Sequence, residues 1–407
     1  MAGLNETPSG ERLHVGFFGV RNAGKSSLVN AVTGQDLAVV SDVAGTTTDP
    51  VRKAMELLPV GPVLIIDTPG LDDEGELGEL RVKKALRALD STDVAVLVVD
   101  ASKGMGVVDE KLVETFRKRN VPYVIAWNKA DLIPEGAVTE TPACTDEEGC
   151  RFANVATSST RGTGVNALKE TIAALGDRAL VKKRLVSDLV GFGDVVVLVV
   201  PIDSAAPKGR IILPQQQVIR DCIESGALAC VASVEGLPSM FKSLAEPPKL
   251  VVTDSQAFGE VAAIVPDEMP LTSFSILMAS YKGTLKTQIQ AVDVLDNLTD
   301  EDVVLISEGC THHRQCEDIG TVKLPALIRH LSGANPKFEF TAGREFPSDL
   351  GAFSVVVHCG GCMLNDREMQ HRAEICAAQS VPFTNYGMTI AKAKGILERS
   401  LSPIPER

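Results

Sequence analysis

The stretch LHVGFFGVRNAGKSS, residues 13–27, decides the architecture of the first part of the chain. A mostly apolar run, of the composition found in strands covered on both faces, leads straight into GVRNAGKSS, which has the spacing GxxxxGKS. Strand, glycine loop and helix in that order are the context in which this spacing means phosphate binding. The backbone N–H groups from Gly19 through Ala23 and Gly24 to Lys25 would wrap phosphate oxygens. Lys25 would reach the β and γ groups, and the Ser26 hydroxyl, with Ser27 beside it, would bind Mg2+.

Four further motifs follow in register, each at the end of an apolar run: GTTTD at 45–49, DTPG at 67–70, NKAD at 128–131 and SSTRGTG at 158–164. Together these resemble the GTPases. The resemblance implies that Thr47 closes over Mg2+ and the γ-phosphate, that Asp67 holds the ion through water, and that the Gly70 amide senses the γ-phosphate. Asn128 and Asp131 would select guanine, since the Asp131 carboxylate can accept two N–H bonds that adenine does not offer. Lys129 would flank the base, and Ser158 and Ser159 stand where a Ser-Ala pair is usual. Leu71 occupies the position at which Ras-like enzymes place a water-orienting glutamine, so hydrolysis needs another aid. Asn22 matches the asparagine with which GTPases resembling the tRNA-modification enzyme help hold K+. GTTTD is similar to that family's GTTRD, with Thr48 for the arginine, and K+-stimulated hydrolysis is the expectation.

Working outward, VLIIDTPG, VAVLVVDAS and YVIAWNKAD repeat the pattern of continuous apolar strands between amphipathic helices, which belongs to parallel sheets covered on both sides. The expected fold class is α/β: a P-loop GTPase domain over 1–178, then two smaller α/β domains with mainly parallel sheets, at 185–265 and 266–407. The charged junction LGDRALVKKRLVSDL separates the first from the second, and the proline-bearing IVPDEMPLTSF separates the second from the third. In the third, FSILMA, DVVLIS, FSVVVH and VPFTNY read as strands. Ligands in such sheets gather at the carboxyl ends of the strands.

At 407 residues the chain is long enough for several cores, and its 40 basic against 53 acidic residues leave a formal charge of −13. That balance opposes sequence-independent attraction to nucleic acid or to an anionic membrane. No export signal and no apolar run near about 18 residues is visible, so a soluble cytoplasmic protein is expected. Nine cysteines, an odd number, fit reduced thiols rather than a disulfide framework. Cys144, Cys150, Cys222, Cys230 and Cys376 are scattered singly and read as packing or replaceable positions.

The remaining cysteines sit near histidines. GCTHH at 309–313 makes a CxH pair of Cys310 and His312, and HCGGC at 358–362 makes His358, Cys359 and Cys362 an HCxxC. Both follow apolar strands. Cys310, Cys359 and Cys362 with either His312 or His358 would suit tetrahedral zinc. The same three thiolates would equally suit an iron–sulfur cube with one iron left open. His313 reads as an outer partner, Cys316 as a residue outside the ligand set rather than a reserve ligand, and Glu308 and Asp366 as merely close in sequence.

A GTPase followed by a small α/β domain and a terminal domain with CTHH and HCGGC resembles the maturation GTPases of FeFe hydrogenases, HydF. The likeness covers nearly the whole chain, including PIDSAAPKGRIILPQQQVIRD at 201–221, which is similar to that family's dimerisation domain. The resemblance implies a 4Fe-4S cluster on Cys310, Cys359 and Cys362, with His358 and His312 as candidates for a variable fourth ligand. It further implies a homodimer through the middle domain, or a larger oligomer, that receives a di-iron cargo from radical-SAM maturases and delivers it to apo FeFe-hydrogenase. The rival expectation is a GTPase with structural zinc acting in tRNA modification or ribosome assembly; the acidic balance and the lack of a separate basic module speak against it.

Overall fold

A computed structural model describes residues 7–35, 50–71, 75–146, 149–176, 184–202, 211–310, 318–343 and 345–405. The expectations for Thr47, Thr48, His312, His313 and Cys316 lie outside these residues. The chain divides into two compact units, Met1–Lys182 and Lys183–Arg407.

The first unit runs β1 (Leu13–Phe18), α1 (Lys25–Thr33), β2 (Val51–Leu57), β3 (Gly61–Asp67), α2 (Gly75–Leu89), β4 (Val94–Asp100), α3 (Val107–Lys118), β5 (Tyr123–Asn128), β6 (Thr141–Thr145), β7 (Arg151–Ala156) and α4 (Val165–Gly176). Among the described residues its seven strands are ordered β2-β3-β1-β4-β5-β7-β6, parallel except for β2 against β3 and β6 against β7. β1 and β4 are buried along their whole length, as central strands with helices on both faces must be. Val15, Phe17 and Val96 pack into one layer, while Phe18, Leu97 and Phe116 pack into the other. Each such side chain contributes about 1.5–3 kcal/mol on burial. The sheet order puts the carboxyl ends of β1, β3, β4 and β5 along one rim, where the motif loops begin.

The second unit runs β8 (Val195–Val199), α5 (Leu213–Ser225), β9 (Leu228–Ala232), α6 (Leu237–Ser243), β10 (Leu250–Thr253), α7 (Phe258–Ile264), β11 (Leu271–Ser273), α8 (Phe274–Tyr281) and α9 (Leu285–Ala291). It continues with β12 (Val303–Glu308), α10 (Leu324–Ser332), β13 (Lys337–Ala342), β14 (Val355–His358), α11 (Asp366–Ala378), β15 (Phe383–Asn385), α12 (Tyr386–Ala393) and α13 (Leu397–Leu401). Two four-stranded parallel sheets result, β11-β10-β8-β9 and β13-β12-β14-β15. They share one apolar cluster, in which Val197 and Val251 of the first sheet and Val304 and Val357 of the second meet Phe258, Ile276, Ile328 and Met388 from the helices.

The structure corrects two expectations here and adds a strand. FSILMA is not a strand but the body of α8, whose first turn is capped where the Ser273 side chain accepts from Ile276 N at 3.2 Å. A short continuous apolar run suits a buried helix as well as a buried strand, and the cap settles it. The strand before it is Leu271–Ser273, which pairs with β10 in register Leu271↔Val251. The change of sheet therefore falls after α8 rather than at residue 265. β13, KFEFTA, escaped the sequence reading because an edge strand half open to solvent carries too few apolar residues to stand out.

Candidate nucleotide and thiol sites

At the end of β1 the chain turns at Gly19, φ +139°, where a Cβ would stand 2.4 Å from Val98 O, so only glycine fits against β4. Gly24, φ +90°, is likewise closed by Asn128 Nδ2 at 2.3 Å from its would-be Cβ. Between them Asn22 takes a left-handed φ of 63° and is exposed. Lys25 is buried, and its Nζ donates to Gly19 O at 3.1 Å and Val20 O at 3.2 Å, poised over the loop interior.

Ser26 Oγ donates to Asp67 Oδ2 at 3.3 Å. Burial raises the Asp67 carboxyl above its ordinary value, against the opposing pull of Lys25 and Ser26. Asp67 Oδ1 is buried without a hydrogen-bond partner among the described residues. A desolvated carboxylate oxygen left unsatisfied beside a serine hydroxyl is a hard oxygen donor set suited to Mg2+. The DTPG loop lies on the phosphate loop: Leu71 N donates to Gly19 O at 3.3 Å, and a Cβ on Gly70 would meet Arg21 Cα at 3.0 Å. Leu71 is 3% exposed, so this position cannot orient a water.

The base side of the pocket is tied to the phosphate side by one fully buried amide. Asn128 Nδ2 donates to Ala23 O at 3.1 Å, and Asn128 Oδ1 accepts from Ser159 N at 3.1 Å. Asn128, expected to select guanine, joins the phosphate loop to the loop at Ser159. Lys129, φ 60°, donates from Nζ to Asn22 O at 2.8 Å and to Asp100 Oδ2 at 2.6 Å, which lays its stem across the pocket. Burial alone would raise the Asp100 carboxyl, but its bonds to Lys129 and Ser102 outweigh that and hold it low. Asp131 is held below the usual carboxylate range first by the Ser158 hydroxyl, and its Oδ1 is buried with no partner among the described residues.

In the second unit β12 and β14 are neighbours, with Ser307 opposite His358, so their exit loops leave side by side. The parallel order places β12 between flanking strands reached in opposite directions, a switch point at which the carboxyl ends open a crevice. The loops touch: Gly309 N donates to Cys359 Sγ at 3.0 Å, Gly361 N donates to the same sulfur at 3.4 Å, and Cys359 N donates to Ser307 O at 2.9 Å. Gly361, φ +65°, has no room for a Cβ, which would lie 2.4 Å from Met369 Sδ. Burial pushes the Cys310 thiol up to about 12, with Cys359, Cys362 and Glu308 adding to it. Burial and Cys359 push Cys362 to about 12 against the opposing Lys282. Three thiols thus share one electrostatic neighbourhood, although among the described residues no three donors gather tightly enough round one point for a single ion.

His358 does not stand as a ligand. It is wholly buried, its Nδ1 lies 2.7 Å from Cys359 O, and its Nε2 lies 2.9 Å from an Arg372 guanidinium nitrogen. Burial first, then Arg372, lowers its pKa to about 3, so it is neutral. Both ring nitrogens are used.

Several participants were not apparent in the sequence. Arg372, 1% exposed, also donates to Glu368 Oε1 at 2.7 Å and to Gly343 O at 2.8 Å. Lys282 is fully buried at the end of α8, with its ammonium 3.0 Å from Asp366 Oδ1 at the start of α11. Tyr386 OH donates to Glu308 Oε1 at 3.3 Å. Glu308 and Asp366, read as merely close in sequence, are in fact built into the walls of this site. Their partners come from segments too far along the chain for any local spacing to show.

The first site and its sheet define a P-loop GTPase domain, and a family model described as a 50S ribosome-binding GTPase matches residues 14–129. Behind it, the hydrogen maturase F dimerization domain matches residues 185–283 and the hydrogen maturase F tetramerization domain matches residues 286–403. The chain belongs to the hydrogen maturase F family.

Among curated relatives, the tRNA modification GTPase MnmE of Laribacter hongkongensis is 36% identical over 163 residues, 40% of this chain and 34% of the relative. GTPase Der of Wolinella succinogenes is 38% identical over 132 residues, 32% of this chain and 27% of the relative. The chain thus spans about a third or less of the length of these relatives, through its GTPase part. Elongation factor SelB from Methanococcus maripaludis, solved with a GTP analogue, matches 43% of this chain and 36% of its own at 20% identity and a TM-score of 0.33.

Proposed function

We propose that the chain is a GTP-hydrolysing carrier which holds a 4Fe-4S cluster on Cys310, Cys359 and Cys362 and delivers a di-iron precursor to immature FeFe-hydrogenase. The observation that carries this reading is the Cys359 sulfur, met by two backbone N–H groups, one from the loop that bears Cys310 and one from its own. Burial raises the Cys359 thiol overall, and the two N–H donors pull against that toward the thiolate, which is the form a metal holds. Soft thiol donors at two strand ends suit iron–sulfur ligation, and a cube asks for its thiolates at separate corners rather than round one point. When bound, the cluster would supply an iron with an exchangeable position for cargo. The chain's own part is to bury the thiols, aim the N–H groups and keep Lys282 and Arg372 near the resulting negative charge.

In the first unit, Lys25, the loop amides, Ser26 and Asp67 would hold Mg2+ and GTP, with Asp131 reading the base. Exposed Asn22 beside a buried Leu71 supports hydrolysis assisted by K+, so turnover should be several-fold faster in K+ than in Na+; equal rates would remove that aid. Self-association through the middle domain is supported by edge strand β9 and α5, which expose Leu228, Val231 and Ile223. Radical-SAM maturases and apo-hydrogenase are the partners this role requires.

Anaerobic reconstitution followed by iron and sulfide analysis and electron paramagnetic resonance tests the reading. The native chain should show a cubane signal that Cys310→Ala, Cys359→Ala and Cys362→Ala each lose or alter. An unchanged signal in all three variants, or colourless zinc without iron in the native chain, would sink it.

A further inference from the structure

His358 sits between the rings of Phe346 and Phe383, with centroids 6.5 and 5.8 Å away, and has no solvent access. Its two ring nitrogens face partners of opposite kind. Arg372 has only donors, so Nε2 at 2.9 Å must present a lone pair; the proton then lies on Nδ1, which donates to Cys359 O at 2.7 Å. Arg372 cannot swing away, because Glu368 Oε1 and Gly343 O hold its other guanidinium nitrogen and its Cζ lies over the Phe346 ring, 5.1 Å from the centroid. Glu368 is itself placed by the start of α11, where the Asn365 side chain accepts from Glu368 N at 3.2 Å. A continuous line of hydrogen bonds therefore runs from the first turn of α11 to the carbonyl of Cys359.

We propose that Arg372 is a positioning residue for the thiol site: it locks His358 in the Nδ1–H form and so fixes the peptide that sets the direction of Cys359 Sγ. Cys359 is the pivot of the loop. Its N–H is spent on Ser307 O and its sulfur meets Gly309 N and Gly361 N, so the carbonyl is the one remaining handle by which its rotation can be restrained. His358 is then a strut rather than a metal ligand. A lysine at 372 would carry its donors on a single nitrogen and lack the planar fork that spans imidazole, carboxylate and carbonyl. Outer partners of this kind typically change metal affinity about 10–100-fold when removed.

The consequence for metal retention rests on the cluster reading above, whereas the strut itself does not, and two measurements separate them. The first is the ring tautomer of His358 in the full-length, metal-free chain labelled with 15N, read by two-bond proton–nitrogen correlation and assigned through His358→Asn. The Nδ1–H form is expected in the native chain and a mixture or the Nε2–H form in Arg372→Met; an Nε2–H form in the native chain overturns the proposal.

The second is the rate at which reconstituted chains lose iron to a chelator. Arg372→Met and His358→Ala should lose it about 10–100-fold faster than the native chain. His358→Asn, whose amide can still donate to Cys359 O, should stay within about threefold. Equal rates for Arg372→Met and the native chain overturn the proposal. So does a nitrogen hyperfine coupling to the cluster that vanishes in His358→Asn. If the native chain takes up no iron but shows the Arg372-dependent tautomer, the strut stands and the cluster reading fails.

Discussion

Asp131→Asn is the sharpest probe of the nucleotide pocket. The carboxylate has one buried oxygen with no partner among the described residues, and its other oxygen lies 3.9 Å from Arg161 Nε, on a side chain 68% exposed. A pair that long and that open to solvent is screened and adds little to folding, and an amide oxygen can still accept from the Ser158 hydroxyl, so the substitution should leave the unit folded. What it removes is a charged acceptor for the two N–H groups on one edge of guanine. A hydrogen bond to a charged group contributes about 1.5–3 kcal/mol, and tenfold in affinity corresponds to ~1.4 kcal/mol, so GDP should bind about 10- to 150-fold more weakly. Xanthine presents an oxygen where guanine carries its amine, so the side-chain amide that Asp131→Asn introduces can donate to it and XDP should gain on GDP. Competition titrations with GDP, XDP and ADP against a fluorescent nucleotide measure all three. GDP affinity within about twofold of the native value, or no gain for XDP, would refute the assignment of Asp131 as the base reader.

Gly24→Ala should weaken nucleotide binding by tenfold or more, because a left-handed alanine costs about 1–2 kcal/mol and its Cβ would push Asn128 off Ala23 O; a titration showing no change would count against the tie between the two sides of the pocket. Mg2+ affinity in the presence of GDP should fall as pH is lowered, beginning above the ordinary aspartate value of 3.8, since burial raises Asp67 and a proton then competes with the ion; calorimetry across pH 4–7 checks this. Asp302 caps the start of β12 by accepting from Thr299 N at 2.6 Å and from Ser354 Oγ, bonds that hold its carboxyl low. Its contribution to stability is present above its unfolded pKa and lost as pH falls through the lowered folded value. Asp302→Asn should therefore flatten the acid limb of unfolding for the second unit. Lys282→Met removes one partner of a buried ion pair and leaves Asp366 without its counter-charge, so thermal stability of the metal-free chain should fall, and the reduction potential of the bound cluster should become more negative.

Much of the first unit was legible because its function rests on backbone geometry that only certain residues permit. Gly19 and Gly24 must be glycine where β4 and Asn128 leave no room, and Asp67 and Asp131 sit at fixed steps after apolar strands, so spacing alone located the pocket. The second unit was legible only to the level of its strands and thiols. FSILMA could not be told from a strand until its serine cap was seen. The partners of the thiols, Lys282, Glu308, Arg372 and Tyr386, carry no signature of their own.

By itself the amino-acid order determined where apolar strands end, which residues stand there and that two loops of the second unit carry thiols. The tertiary structure decided that β12 and β14 are adjacent, that Gly309 reaches across to Cys359, and that His358 is turned inward onto Arg372 rather than outward to a metal. The physical reason is that periodicity and backbone conformation are local and written in neighbouring residues. The pairing of strands, and the burial that dictates which nitrogen of an imidazole keeps its proton, depend on contacts between segments far apart along the chain.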